Sequence, residues 1–400
     1  MGMTQTELGG IIHFTQPAVS QLERNGPAAN SLRVLRLVAG ALQIPLAILV
    51  VESDEGADVK RRQFFRASAL GVGAGAAVGA GAADIGGLAD RAAAAVASIS
   101  PKVGAGDVAA IDESRRQIQE LDLVVGGDRL CQLAAGCVRH VEQLLDTGSY
   151  TEAVGRDLSS AGAEMMTAAG WVNFDAGRLD EARRYYARAV QAANVAGDTS
   201  AAAHALANAS IMGGSDVVQS RQAVQYAQAA SRAALGRGGP KLRALMALRE
   251  ADAHGTVGDR TAAANALSRA HRAWESGRGH DPDWVYLPGS EFEALVGVVQ
   301  ALLGDHKAAS HSFRTAIDGS AAWPRERAEF HILEARNLIK AGDIPGSCAV
   351  LSAELDRIHV LASTRLHNQL DMLEGRVRPY AKVAEVREFL GARAEYRATI

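Results

Sequence analysis

Residues 107–400, the C-terminal two-thirds of the chain, carry apolar side chains at helical spacing in one segment after another. Apolar residues that recur three or four positions apart predict amphipathic helices, whereas a β-strand would alternate apolar and polar positions. Such alternation is not sustained anywhere in this part of the sequence. The pattern therefore predicts an all-α domain built from many consecutive helices.

Five segments of this region repeat one arrangement of small and large side chains. Each begins at a glycine, has a small residue five positions later, and in four cases has a large apolar residue nine positions later. The glycines are Gly148, Gly177, Gly258, Gly304 and Gly342, and the small residues are Ala153, Ala182, Ala263, Ala309 and Ser347. The large residues are Tyr186, Leu267, Phe313 and Leu351, with Asp157 as the exception. Seven positions before four of the glycines lies a further small residue: Gly170, Ala251, Gly297 or Ala335.

This arrangement predicts a stack of helical hairpins. The glycine turns the chain, the small residue lets the second helix approach the first, and the large residue fills the groove formed with the next hairpin. A single hairpin cannot bury its apolar face alone, so several must stack into a superhelix. The pattern resembles the tetratricopeptide repeat, and a sixth unit is expected around Ala223.

The repeats are expected to be irregular. With Ala223 included, the small residue recurs at intervals of 29, 41, 40, 46 and 38 residues, mostly longer than the ~34 residues of the usual tetratricopeptide repeat. Residues 277–293 are predicted to form one long loop. The concave face of such an array commonly binds a peptide or a partner helix, and an asparagine amide pairs with a peptide backbone from both sides. The candidate ligand-groove residues are Asn173, Asn208 and Asn337.

Residues 1–51 predict a different unit, in which two short helices are joined by a tight turn. Thr4 and Glu7 form a capping box ahead of an apolar stripe. Thr15 is predicted to cap the second helix, with Pro17 in its first turn, where a missing backbone N–H costs nothing. Two helices in this arrangement form a helix-turn-helix, whose second helix can enter a DNA major groove.

The stretch "TQTELGGIIHFTQPAVSQLERNG", followed by a Leu-rich helix ending in "LQIP", resembles the DNA-binding domain of Cro/cI-type (XRE family) repressors. The resemblance covers residues 2–51. It implies base-edge contacts from Gln16, Pro17, Ser20 and Gln21, phosphate contacts from Gln5 and Arg24, and Thr15 at the start of the recognition helix. Family members carry another helix before this pair, so either the true start lies upstream or the module is incomplete and binds DNA weakly.

Residues 52–106 are predicted to be a linker. An acidic and then basic segment precedes an uncharged Ala/Gly run over residues 67–83. Three interpretations compete: a flexible or weakly helical connector, a twin-arginine export signal around "RRQFF", and a membrane helix. The connector is favoured, because export conflicts with an N-terminal DNA-binding module and an Ala/Gly run offers little apolar surface to a bilayer. Translation from near Val59 would remove the conflict with export.

Charge and candidate chemistry narrow the choice of function. The net charge is only −3, so there is no global basic field, and weak binding by one module favours a dimer on a two-fold DNA site. The cysteines show no metal-ligand spacing and suit a reducing cytosol. His306 and His311 lie five positions apart and would share a helix face poorly. No cofactor, metal site, membrane partner or clustered catalytic residues are expected, and the chain is not predicted to be an enzyme.

The combination of residues 1–51, 52–106 and 107–400 resembles actinobacterial-type XRE regulators with tetratricopeptide sensor domains. That resemblance implies a cytoplasmic, dimeric transcription factor that binds double-stranded DNA at the nucleoid and senses a peptide or protein ligand. The alternative is a tetratricopeptide scaffold for protein–protein interaction that does not bind DNA.

Overall fold

Consecutive α-helices make up most of the computed structural model, which describes residues 102–212, 217–236, 238–277 and 279–399. The first eight are α1 (Ala105–Val125), α2 (Cys131–Thr147), α3 (Glu152–Asp175), α4 (Leu179–Ala196), α5 (Thr199–Ser210), α6 (Val217–Ala233), α7 (Pro240–Thr256) and α8 (Arg260–Ser276). The others are α9 (Gly289–Leu302), α10 (His306–Gly319), α11 (Pro324–Ala341), α12 (Ile344–Ser352), α13 (Leu355–Val360), α14 (Thr364–Val377) and α15 (Ala384–Thr399).

The all-α prediction is confirmed for the described ranges, where extended pairing is limited to one isolated bridge between Lys102 and Ser149. The first described helix, α1, starts at Ala105. The predictions for residues 1–101, which comprise the helix-turn-helix, the "RRQFF" motif and the Ala/Gly run, lie outside the described residues.

Five helical hairpins follow one another: α3–α4, α5–α6, α7–α8, α9–α10 and α11–α12. The first helix of each hairpin lies on the inner face of the stack, and the second lies outside it. The unit expected around Ala223 is the hairpin α5–α6, and Ala223 is buried in α6. The predicted loop at 277–293 is wrong at its end, because α9 already begins at Gly289.

Three of the predicted turn glycines share one geometry. Gly258, Gly304 and Gly342 have φ between 81° and 86°, a left-handed conformation that glycine adopts without a steric penalty. An aspartate follows each of them, and its carboxylate accepts a hydrogen bond from a backbone N–H in the first turn of the next helix. The dipeptide Gly-Asp therefore ends one helix and caps the next within two residues.

The segment that begins at Gly148 does not form such a hairpin turn. Gly148 has φ −74° and ψ 154° and joins α2 to α3, which is the first helix of a hairpin rather than the second. The side chains of Ala153 and Asp157 are consequently exposed on the first turns of α3. The packing role predicted for Ala153 is wrong, and the polar residue at position 157 was the sequence signal of this difference.

Two of the large repeat residues pack inside their own hairpin. A methyl group on Gly170 of α3 would lie 2.5 Å from the ring of Tyr186 of α4, and one on Gly297 of α9 would lie 2.8 Å from the ring of Phe313 of α10. Both rings are only 1 % exposed. Each ring therefore lies over a glycine of the preceding helix. Tyr186 also shares an apolar cluster with Met212 of the next hairpin, which confirms the predicted plug role at this position.

The replacement Gly170→Ala is expected to lower the free energy of unfolding by about 1–2 kcal/mol. The added methyl overpacks the contact with Tyr186, which costs about 1–3 kcal/mol, partly offset by the better helix propensity of alanine. Gly375→Ala is the matched control, because Gly375 is exposed in α14 and its added methyl meets no atom within 4 Å. Urea denaturation should show Gly375→Ala unchanged or more stable; equal shifts of both variants in one direction would contradict the packing argument.

Candidate functional site

The first helices of the hairpins line a partly open cavity of about 840 Å³ on the inner face of the stack. One face of α11 illustrates how the sequence builds its wall, since Glu326, Glu329, Leu333, Arg336 and Lys340 recur three or four residues apart and all line the cavity. Residues at this spacing lie on one side of a helix. Most of the remaining lining comes from the helices α1, α3, α5, α7, α9 and α14, with further contributions from single residues of α6 and α10 and from the loops before α9 and α11.

The long loop before α9 closes one side of the cavity. Trp284 is 9 % exposed, stacks on the imidazole of His204 with a centroid distance of 4.1 Å, and donates its indole N–H to Ser200 Oγ over 3.0 Å. The next aromatic residue of the loop, Tyr286, lies edge-on to Trp323, with ring centroids 6.3 Å apart. The loop for which the sequence offered no role is thus a cavity wall, anchored to a hairpin some 80 residues away.

The two ends of the stack meet and close the cavity on its other side. The backbone N–H of Ala362 donates to Val125 O, and the N–H of Asp128 donates back to Ala362 O, each over 3.0 Å. The carboxylate of Asp128 accepts hydrogen bonds from the backbone N–H and the hydroxyl of Thr364. Residues at the end of α1 are therefore joined directly to residues at the start of α14.

A buried ion network lies behind this junction. Arg365 of α14 donates two hydrogen bonds to the carboxylate of Glu329, of 2.6 and 2.9 Å, and a third of 3.1 Å to Asp175. Arg325 of α11 lies 3.3 Å from Asp122 Oδ2 and 3.6 Å from Asp175 Oδ1. Asp175 is fully buried at the end of α3, and these two guanidinium groups compensate the negative charge of its carboxylate.

The indole of Trp171 lies beneath the two guanidinium groups of this network. The Cζ atoms of Arg325 and Arg365 are 5.6 and 5.8 Å from its ring centroid, within the range of cation–π attraction. Its N–H donates to Asp122 over 2.8 Å. We call Asp122, Trp171, Asp175, Arg325, Glu329 and Arg365 the closure network.

The closure network perturbs its carboxyl groups in opposite directions. Burial by itself would raise the pKa of Glu329, but Arg365 and Arg325 hold it at about 2. Burial raises the pKa of Asp122 to about 6, although Arg325 acts against this shift. Glu329 therefore carries a full negative charge at neutral pH, paired with the bidentate arginine.

Two other carboxylates line the cavity beside this network without such pairing. Burial, followed by the negative charge of Glu291, raises the pKa of Glu326 to about 8. Burial and the charge of Glu329 likewise raise the pKa of Glu291. Glu326 is 4 % exposed, and its Oε2 has no hydrogen-bond partner among the described residues.

The far end of α11 carries basic groups instead. Burial lowers the pKa of Arg336 and of Lys340, both of which line the cavity. Asp252 of α7 lies close enough to Arg336 to feel its charge, and burial raises the pKa of this carboxyl. The unpaired carboxylates Glu291 and Glu326 therefore lie towards the start of α11, and Arg336 and Lys340 lie towards its end.

The structure places the three predicted groove asparagines differently. Asn208 of α5 lines the cavity. Asn337 also lies at its wall, but its amide is held by His306 and by Ser310 Oγ and is 1 % exposed. Asn173 is 3 % exposed, and its amide donates to Ala169 O within its own helix, which leaves it no part in the wall. The candidate DNA-binding residues lie outside the described residues.

Sequence reasoning missed the charged and aromatic residues that dominate the cavity. Three of the four tryptophans, Trp171, Trp284 and Trp323, line it. Their rarity in an Ala-rich chain was an available signal. The charges at helical spacing in "PRERAEFHILEARNLIK" were a second signal, because the first helix of a hairpin faces inward.

No family model matches the chain, and neither does any protein in a search of curated sequences. Within the described residues, no helix has the length and apolar character needed to cross a membrane. The same residues hold no group of three or more His, Cys, Asp or Glu side chains placed to bind a metal ion. The three cysteines are buried and unpaired, and burial raises the thiol pKa of Cys131 and of Cys137 to about 11.

Proposed function

We propose that this protein is a ligand-responsive transcriptional regulator. Its tetratricopeptide-like helical domain holds a small or peptide-like ligand in the cavity, and residues 1–51 bind DNA through the helix-turn-helix. The observation that carries the proposal is the cavity itself, about 840 Å³ in volume and lined by charged, amide and aromatic side chains. Ligand sites are typically clefts of about 300–1,000 Å³ with a few polar groups among apolar walls.

The closure of the stack favours a short ligand over a long partner helix. The ends of the stack are joined at residues 125–128 and 362–364, which limits the length of a ligand that can lie along the inner face. Glu326 and Lys340, which line the two ends of α11, lie about 21 Å apart at the rise of an α-helix. An extended peptide of about six residues spans that length.

We expect the closure network to couple ligand binding in the cavity to the affinity for DNA. A ligand that contacts α9, α11 and α1 together stabilises the closed arrangement relative to a more open one. In a homodimer, such a change alters the spacing of two DNA-binding modules, which must fit major grooves about 34 Å apart. The regulator acts in the cytoplasm, on a two-fold symmetric site.

The experiment that tests this proposal is selection of duplexes from a randomised pool by the full-length chain at low ionic strength. We expect enrichment of a two-fold symmetric sequence, with affinity that falls steeply as salt rises. Replacing Gln16 and Gln21 with alanine should relax the sequence preference. A pool without enrichment, from a confirmed dimer, would contradict the DNA-binding role and favour the alternative of a scaffold that does not bind DNA.

The regulatory half of the proposal is tested by filling the cavity. Asn208→Trp places a large side chain on the cavity wall and is expected to change the affinity for the selected duplex at least fivefold. Gln191→Trp on the exposed face of α4 is the control, with no expected change. Equal affinities for both variants and the wild type would remove the link between cavity and DNA.

A further inference from the structure

One corner of the cavity combines two carboxylates with two aromatic rings. Glu291 lies on the first turn of α9 and Glu326 on the first turn of α11. Tyr286 and Trp323, which lie edge-on to each other, line the same cavity. Burial and the negative charges of Glu326 and Glu291 raise the pKa of the Tyr286 hydroxyl, which places both carboxylates near that ring.

The charges around this corner do not balance. The neighbouring cations are three guanidinium groups, those of Arg249, Arg325 and Arg365. The carboxylates that share them are Asp122, Asp175, Glu291, Glu326 and Glu329. Arg249 is further shared with Asp252 of its own helix. Five carboxylates therefore share three guanidinium groups, and Glu291 and Glu326 are the two of the five without an ion pair within 4 Å among the described residues.

A buried carboxylate without a matching positive charge is costly unless it takes up a proton or meets a cation. Glu326 is such a group, whereas Tyr286 beside it is 45 % exposed and leaves the corner open to a ligand from solvent. Glu326 is 4 % exposed, and its Oε2 has no hydrogen-bond partner in the described part of the chain. Without ligand, the protonated form of Glu326 dominates at neutral pH. A ligand cation would replace that proton and supply the missing charge.

The corner suits an organic cation better than a metal ion. The described residues bring together no cluster of three or more metal-ligating side chains, and two carboxylates alone leave most of the coordination of a divalent ion unfilled. Aromatic rings attract ammonium groups through their faces, and here they border the carboxylates. Beyond them the wall is apolar, with Leu295, Val298 and Leu333 available to an aliphatic chain.

We propose that Glu291, Glu326, Tyr286 and Trp323 form a subsite that binds the ammonium group of the cavity's ligand. This inference rests on the proposed function of the cavity as a ligand site. The two carboxylates pair with the ammonium group, the aromatic rings cover it, and the rest of the ligand extends along α11 towards Arg336 and Lys340.

Calorimetric titration of the full-length chain with 1-hexylamine and with 1-hexanol tests the subsite directly. The two probes have the same length and differ in charge. We expect the amine to bind at least tenfold more tightly than the alcohol at pH 8. Equal affinities would overturn the proposal.

The amine affinity is expected to rise as the pH increases from 6 to 8. Glu326 must lose its proton to pair with the ammonium group, and its pKa of about 8 is set among Glu291, Glu329, Asp122 and Arg325. The amine keeps its own charge until about pH 10. Calorimetric titrations at pH 6.5 in buffers of different ionisation enthalpy should show that one proton is released when the amine binds. An amine affinity that does not change between pH 6 and 8 would contradict the role of Glu326.

Carboxylate-to-amide variants test which carboxylates bind the ammonium group. Glu326→Gln and Glu291→Gln should each weaken hexylamine binding at least tenfold and leave hexanol binding unchanged. Glu293→Gln on the same helix as Glu291 is the control, because Glu293 does not line the cavity. Circular dichroism verifies the fold of each variant, and an equal loss in Glu293→Gln would overturn the subsite.

Two further probes distinguish the sources of the ammonium group. Trialanine amide presents it at a peptide amino terminus, and N-acetyllysine amide presents it on a side chain; the tighter of the two identifies the preferred source. If both bind more weakly than N-acetyltrialanine amide, the proposal fails.

The tests separate this inference from the proposed function. Amine binding without any effect of Asn208→Trp on DNA affinity would refute the regulatory role and leave the subsite in place. An effect of Asn208→Trp on DNA affinity without amine binding would refute the subsite alone.

Discussion

Arg365→Ala is expected to lower the free energy of unfolding by about 3–5 kcal/mol. The guanidinium group of Arg365 holds the carboxylate of Glu329 through two hydrogen bonds and reaches Asp175, which is fully buried. Removing one partner of a buried ion pair leaves the other charge desolvated without compensation. Among the described residues, Arg325 would then be the one cationic group left within ion-pair distance of Asp175 and Glu329.

A surface pair provides the control for this variant. Arg184 lies 2.8 Å from Glu181 on α4, with both side chains largely in solvent, and Arg184→Ala is expected to cost less than about 0.5 kcal/mol. Arg365→Lys keeps the positive charge but loses the bidentate geometry. Its loss of unfolding free energy should therefore lie between those of Arg365→Ala and Arg184→Ala. Urea denaturation measures all three variants.

The same variant tests whether the closure network holds the ends of the stack together. Small-angle scattering should show a larger radius of gyration for Arg365→Ala than for Arg184→Ala under folding conditions. If Arg365→Ala costs no more than Arg184→Ala and leaves the radius unchanged, the hydrogen bonds among Val125, Asp128, Ala362 and Thr364 are sufficient to maintain the closure.

Trp284→Ala is expected to destabilise the protein by about 3–5 kcal/mol, the usual cost of removing a buried aromatic side chain. The indole joins the loop to α5 through its stack on His204 and its hydrogen bond to Ser200. It also belongs to the apolar core formed by α5, α7 and α9. Without it, the loop loses its anchor and the cavity loses a wall.

Two comparisons separate the contributions of Trp284. Trp284→Phe keeps a ring against His204 but loses the hydrogen bond to Ser200, and should cost about 1–2 kcal/mol. Tyr380→Ala removes an aromatic ring that is 48 % exposed, and its effect should stay within about 0.5 kcal/mol. Thermal and urea denaturation measure the loss of stability in each of the three variants. If Trp284→Ala costs as little as Tyr380→Ala, the loop is not anchored by the indole of Trp284.

The helical hairpins were predictable because their determinants are local. Gly304 and Gly342 each end a helix and precede the aspartate that caps the next, so a few consecutive residues specify the turn. The buried positions of Ala182, Ala263 and Ala309 follow from the same repeat. The prediction failed at Gly148, where the same spacing joins two different units and only the polar residue at position 157 marked the difference.

The candidate site was predictable only in its location on the inner face. Asn208 lines the cavity, whereas Asn173 satisfies its amide within its own helix. A pattern of single residues does not reveal which amide is already hydrogen-bonded. The buried charges were missed because a charged side chain in a sequence is normally taken as solvent-exposed.

By itself, the sequence determined the succession of helices, most of the turns between them and the buried small residues of the hairpins, since these depend on neighbours a few residues to a few tens of residues away. Only the tertiary structure decided that the stack closes on itself. That closure joins Asp128 to Thr364, 236 residues apart, and Asp175 to Arg365, 190 residues apart. Such contacts depend on the curvature accumulated over five hairpins, which no local pattern specifies. The same curvature shapes the cavity and places Glu291 and Glu326 where a ligand charge is needed.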